Sequence, residues 1–151
     1  MAELRRELLA DLSGTVLGVG AGNGLNFVHY PAAVTEVIAV EPEPYLRDLA
    51  TQAAQRAPVP VTVLPGTAEQ LPLSADGADA AVLCLVLCSI SDRAAALAEL
   101  VRVLRSAGAL RFLEHCLAET PGHQRVQRVA DARSGRCWPE GATPPLIRSA
   151  S

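Results

Sequence analysis

The chain has 151 residues, with thirteen arginines and no lysine set against sixteen acidic residues, for a net charge of −3. That balance gives no electrostatic footing for nucleic acid, and the length suits one domain with a buried core. Half of the residues are apolar but few are aromatic, so Ala, Val and Leu are expected to build that core.

Ala2 to Leu12 reads as a short amphipathic helix with Leu4, Leu8, Leu9 and Leu12 on one side. Glu3, Arg5, Arg6 and Glu7 interrupt it, so it is not the apolar stretch of a signal peptide. Ser13-Gly14 ends it, and Thr15 to Val19 is the first strand. The stretch Gly20-Ala21-Gly22-Asn23-Gly24 follows as a turn, then a short helix over Leu25 to Tyr30 that Pro31 stops. Thr35 to Val40, β-branched and apolar apart from Glu36, is the second strand and ends at Glu41-Pro42. Pro44 to Arg56 is an amphipathic helix, with Leu46, Leu49, Ala50, Ala53 and Ala54 facing one way and Arg47, Asp48, Gln52 and Arg56 the other.

Val61 to Leu64 is the third strand, and Gly66-Thr67-Ala68-Glu69 forms the loop after it. Asp76-Gly77 is a turn. Asp79 to Leu87 is a continuous apolar strand, as a central position in a parallel sheet requires. The longest apolar run, Ala80 to Cys88, is about half of the roughly 20 residues a membrane helix needs, so no integral membrane segment is expected. Cys84 and Cys88 are spaced as small hydrophobes within that run, and no Cys or His pair stands at a zinc-like distance from them. With Cys116 and Cys137 also reduced, the protein is expected to be cytoplasmic. Ser91-Asp92 caps a helix over Arg93 to Leu104, Ser106-Ala107-Gly108 ends it, and Ala109 to Leu113 is the fifth strand, leading to Glu114-His115.

Strands alternating with helices imply an α/β fold with a doubly wound parallel sheet. Right-handed crossovers and the usual reversal after the third strand place a crevice at the ends of strands one and four. The glycine turn, Glu41, Glu69, Cys84 to Cys88 and Glu114-His115 then share one edge of the sheet.

A glycine turn after a buried strand suits a nucleotide-like ligand, because the backbone can approach without a Cβ in the way. The dinucleotide pattern G-x-G-x-x-G nevertheless fails in every register: its third glycine falls on Asn23, Leu25 or Phe27. A phosphate loop of the Walker type needs a lysine, and there is none. What stands is Gly20-x-Gly22-x-Gly24 with Glu41 ending the next strand.

Val16 to Gly24, Val37 to Pro42, Gly66 to Pro72, Asp79 to Val82 and Glu99 to Arg105 together resemble the class I S-adenosylmethionine-dependent methyltransferases, with the type 11 methyltransferase domain. The segments fall in the same order and spacing, over roughly residues 14 to 130. Asn26, His29-Tyr30-Pro31, Leu85 to Ile90 and Glu114-His115 point within that family to the small-molecule branch that includes thiol and quinone methyltransferases. The resemblance implies a Rossmann-like sheet of strand order 3-2-1-4-5 and S-adenosyl-L-methionine as cofactor. It implies methyl transfer to a thiol, phenol or quinone-like acceptor; the alternative is an inactive remnant that binds cofactor weakly or acts through protein association. Gly20, Ala21, Gly22, Gly24 and Asn26 are expected around the methionyl part, and Glu41-Pro42 at the ribose, where a carboxylate can accept from both hydroxyls. Ala68-Glu69 is expected at the adenine edge, and Leu85 as a wall. His115 is the first candidate for a base toward a neutral acceptor, His29 the second, and either can equally be a structural histidine.

Three departures from the family stand out. Gly18 occupies a position that usually carries Glu or Asp, a carboxylate that helps to hold the methionyl end. Arg105-Ser106-Ala107-Gly108 replaces an Arg-Pro-Gly-Gly turn. The third is at the end of the chain. A methyltransferase domain over residues 1–133 with a helix at Thr120 to Arg133 is expected to lack the terminal antiparallel hairpin, and 134–151 is an irregular tail. Branch members carry Gly-Gly-Cys-His-x-Thr near this point, and codons for Gly135 to Thr143 can be chosen so that a shifted frame reads close to it. The tail is therefore expected to be either out of frame or a genuine irregular end. In both cases the fifth strand becomes an exposed edge open to self-association.

Overall fold

The computed structural model describes residues 1–114. Five parallel strands form one sheet in the order β3-β2-β1-β4-β5, with β1 at Gly14–Val19, β2 at Val34–Val40, β3 at Val61–Leu64, β4 at Ala78–Cys84 and β5 at Leu104–Leu113. Among the described residues three α-helices accompany it: α1 (Ala2–Leu9), α2 (Pro44–Ala54) and α3 (Arg93–Val103). The α/β architecture and strand order expected from the sequence are those observed. The expected helix over 120–133, the tail, and His115 and Cys116 lie outside the described residues.

β1 and β4 hold the middle of the sheet, and Val16, Leu17, Val19, Ala80, Ala81, Val82 and Leu83 are all buried. Alternation along each strand splits the core into two layers. Val16, Val37, Ala39, Ala80 and Val82 meet Leu9, Leu12, Phe27, Tyr30 and Ala50 on one face. Leu17, Val19, Val40, Ala81 and Leu83 meet Ala96, Leu100 and Val103 of α3 on the other.

Local chemistry sets the helix boundaries. Pro44 opens α2 in the first turn, where its missing N–H costs nothing, and the Glu43 carboxylate accepts from Leu46 N–H at 2.8 Å. Asp92 caps α3 by accepting from Ala95 N–H at 3.0 Å. Asp79 ties the start of β4 to β1 by accepting from Thr15 N–H at 2.8 Å, and it pairs with Arg105.

Three expected elements differ. The helix over Leu25 to Tyr30 is a single 3-10 turn, Phe27–His29, because Phe27 and Tyr30 both turn into the core across a segment that Pro31 cuts short. β4 stops at Cys84 instead of continuing to Leu87. Leu85 turns into left-handed backbone (φ +60°), and the Glu114 carboxylate accepts from the amides of Val86 and Leu87 at 2.9 and 3.0 Å. The Leu face of α1 is also rotated: Leu9 is buried, Leu4 is exposed, and Arg5 takes the inward position beside Leu9. No helix among the described residues is long and apolar enough to cross a membrane.

Candidate active site

The cleft opens at the C-terminal ends of β1, β2 and β4, with a volume of about 270 Å³. Its floor is the glycine turn. Gly20 and Ala21 both donate to the Val40 carbonyl, at 2.9 and 3.1 Å, which folds the turn against the end of β2. Gly20 (φ +65°) and Gly22 (φ +57°) adopt left-handed backbone, so L side chains are strained at both. They differ in surroundings. A Cβ on Gly20 would overlap the Val86 side chain, whereas one on Gly22 would meet nothing within 4 Å. Gly22 therefore presents bare backbone to the open cleft.

Glu41 is the buried charged residue of this region, at 5 % exposure. Its two oxygens are held separately: Oε2 accepts from Gly22 N–H at 2.7 Å and Oε1 from Glu43 N–H at 3.1 Å. A carboxylate has about four acceptor positions, so each oxygen keeps capacity for one further donor. Arg47 supports the turn from α2 by donating to the carbonyls of Glu41 and Pro42 at 3.0 and 3.1 Å. Leu46 and Pro42 add apolar surface on this side, and Leu85, Val86 and Ser89 close the cleft from the segment after β4.

At the other end, α1 sends Arg5 across the sheet face to Asn26 Oδ1 at 2.5 Å and Cys84 Sγ at 3.1 Å. Burial pushes the Cys84 thiol up, with Glu114 adding to the rise and Arg5 opposing it, so the sulfur stays protonated near neutrality. Tyr30 lies on the same face; its phenol is pushed up by burial first and by Cys84 second. Gly18 faces Tyr30 too. A Cβ there would lie 3.7 Å from the Tyr30 hydroxyl and 3.9 Å from Ala39 Cα, ordinary contacts, so the backbone does not demand glycine at this departure from the family pattern.

Of the residues singled out in the sequence, Gly20, Ala21, Gly22, Asn26, Glu41, Pro42 and Leu85 come together around the cleft. Gly24, Ala68 and Glu69 do not. Gly24 is packed from below, where a Cβ would meet Ala53 and Phe27 at 2.8 Å, so core packing alone requires glycine there. Ala68 is buried in the α3-side core layer. The Glu69 carboxylate is engaged by the Ser91 and Asp92 amides at 3.1 and 3.3 Å, anchoring the entry to α3. Those backbone bonds, with its own amide first, lower the Glu69 pKa. His29 and Cys88 are also absent from the cleft lining. Among the described residues, no cluster of His, Cys, Asp or Glu could hold a metal ion.

Sequence reasoning missed Arg5, Asn23, Leu25, Leu46 and Ser89 as lining residues. Arg5 did carry a signal: it stands four and seven residues before Leu9 and Leu12, on the stripe that α1 buries.

A bare-backbone turn, a buried carboxylate at the end of the neighbouring strand and a cleft at the switch point of a 3-2-1-4-5 sheet define a Rossmann-like nucleoside-binding protein that lacks a phosphate loop. The methyltransferase domain family matches residues 17–112. The chain is 35% identical over 130 residues to thiol S-methyltransferase TMT1A of Homo sapiens, covering 79% of this chain and 53% of that protein. Among solved structures, the YcgJ protein of Bacillus subtilis superposes with a TM-score of 0.72 at 27% identity, over 87% of this chain and 58% of that one. A SAM-dependent methyltransferase from Thermotoga maritima gives 0.69 at 25% identity, over 89% and 60%. The chain belongs to the class I S-adenosylmethionine-dependent methyltransferases. It spans about half the length of the curated relatives it matches.

The cleft fits the cofactor of that family. Gly22 leaves open the space that a side chain would fill, and Glu41 offers two oriented oxygens of the kind a vicinal diol needs.

Proposed function

We propose that this chain binds S-adenosylmethionine in the cleft and methylates a small-molecule acceptor, a thiol first, with phenols and quinone-like compounds as the wider class. The observation that carries the reading is the Glu41–Gly22 bond. It fixes a buried carboxylate beside bare backbone, which suits a ribose next to a chain that must pass close to the turn. Glu41 would accept from the ribose hydroxyls, Gly20 to Gly22 would line the methionyl part, and Pro42 and Leu46 would give the nucleoside an apolar side. The bound cofactor supplies a methyl group already activated by its sulfonium. The protein's part is to orient the acceptor and exclude water, and alignment alone can supply about 7–11 kcal/mol of the barrier. Leu85 and Val86, held over the cleft by the Leu113 carbonyl and the Glu114 carboxylate respectively, would serve the exclusion of water. His115 is the proposed base for a thiol or phenol acceptor. The thiol preference comes from the similarity to thiol S-methyltransferases.

Calorimetric titration with S-adenosylmethionine and S-adenosylhomocysteine tests the binding step. Transfer of a radiolabelled methyl group to a panel of thiols, phenols and quinols tests turnover. Saturable binding with transfer to a thiol is expected. No binding at millimolar ligand would reject the reading in favour of a non-catalytic remnant, for which β5 at the edge of the described sheet is the surface open to association.

A further inference from the structure

The two ends of the cleft carry opposite charges, and only the Glu41 end belongs to the segments that identify the family. Arg5 reaches the other end from α1, outside the matched residues 17–112. Its contacts are with neutral groups: one terminal nitrogen serves both the Asn26 amide oxygen, at 2.5 Å, and the Cys84 sulfur, at 3.1 Å. Burial keeps that thiol protonated, so it is no counter-ion. The ion pairs among the described residues involve Arg6, Arg102 and Arg105 and leave Arg5 out. Glu114, whose charge acts on Cys84, is turned toward the Val86 and Leu87 amides. Nε and the second terminal nitrogen of Arg5 therefore have no hydrogen-bond acceptor among the described residues. A guanidinium has five donors in a fixed fork, a shape matched by a carboxylate.

We propose that Arg5 receives the α-carboxylate of the ligand's amino-acid end, so that Arg5 and Glu41 grip the two ends of one molecule across the glycine turn. The proposal rests on the cofactor reading above and adds a residue that no motif marks. Asn26 holds the guanidinium in place from the 3-10 side, and α1 becomes part of the binding site. A ligand with the nucleoside but without the amino-acid end should then ignore Arg5 altogether.

That difference is the test. The full chain, Arg5→Ala and Arg5→Lys are titrated calorimetrically with S-adenosylhomocysteine and with 5′-methylthioadenosine, a thioether nucleoside that lacks the amino-acid end. Loss of a charge-assisted hydrogen-bond pair is expected to weaken S-adenosylhomocysteine about ten-fold or more in Arg5→Ala. Binding of 5′-methylthioadenosine should change by less than about two-fold, which also certifies that the variant is folded. Arg5→Lys should recover part of the loss, because it keeps the charge but not the fork. Equal weakening of both ligands in Arg5→Ala, or no weakening of either, would overturn the assignment while leaving the cofactor reading intact. A wild-type chain that binds neither ligand would overturn both.

Discussion

Gly20 and Gly22 are two residues apart in one turn, share left-handed backbone, and should respond to the same methyl group in different ways. In Gly22→Ala the new Cβ enters open cleft with nothing within 4 Å, so its stability cost is confined to the backbone. For an L residue at positive φ that is about 1–2 kcal/mol. For a chain of this size it corresponds to a melting temperature lowered by roughly 2–8 °C. The Gly22 N–H still reaches Glu41, so the turn keeps its lock. The methyl does occupy the surface where the methionyl chain should pass. Overpacking of about 1–3 kcal/mol there converts to roughly a 5- to 150-fold loss of affinity for S-adenosylhomocysteine. In Gly20→Ala the same backbone cost is joined by overlap with Val86, whose Cβ lies 2.9 Å from the added atom. The total is about 2–5 kcal/mol, a loss that falls on the fold itself. Thermal denaturation followed by circular dichroism, alongside calorimetric titration, separates the two effects. If Gly22→Ala bound S-adenosylhomocysteine like the wild type, the ligand would not pass over this turn and the reasoning would be refuted.

Three further outcomes are expected. Glu41→Gln retains one acceptor oxygen where the carboxylate uses two, so either the Gly22 or the Glu43 amide faces an NH2 group. With hydrogen bonds to a charged group worth about 1.5–3 kcal/mol, affinities for S-adenosylhomocysteine and 5′-methylthioadenosine should both fall more than about ten-fold, in contrast to the selective loss in Arg5→Ala. Glu69→Ala frees the Ser91 and Asp92 amides, so the melting temperature should drop while the S-adenosylhomocysteine affinity holds; a selective loss of affinity would return Glu69 to the adenine site. Acid should destabilise the fold through Glu99 and Asp79. Hydrogen bonds from Arg102 and from Leu71 N–H hold Glu99 down to about 2, and Thr15 N–H with Arg105 lowers Asp79. Depressed folded values mean that the unfolded chain binds protons first, so this contribution is present above about pH 4 and fades as pH falls toward 2. Urea midpoints across that window should fall with acid, and less steeply in Glu99→Gln, where neither the unfolded nor the folded state can take up that proton.

The sequence by itself determined the strand set and the glycine turn, because each rests on a local signal, whereas the strand order followed from crossover rules and the resemblance to the family. Val16 to Val19 and Val37 to Val40 are apolar runs that end at glycine or charge, Ala80 to Leu83 starts after Asp79, and a parallel sheet buries such runs on both faces. Glu41 was legible as a cleft residue from its place at a strand end beside a glycine turn. Tertiary structure alone decided which polar groups meet. Arg5 and Cys84 lie 79 residues apart, and Glu114 and Val86 lie 28 apart, distances no periodicity spans. The same holds for Glu69, which shared the crevice edge in the sequence reading but is drawn to the amides at the start of α3. An apolar run contains no mark of where it must turn, so the end of β4 at Cys84 came from the Glu114 carboxylate capturing the amides beyond it. Hydrophobic pattern assigns a residue to a face; its partner depends on which unpaired amides and charges the packed elements leave within reach.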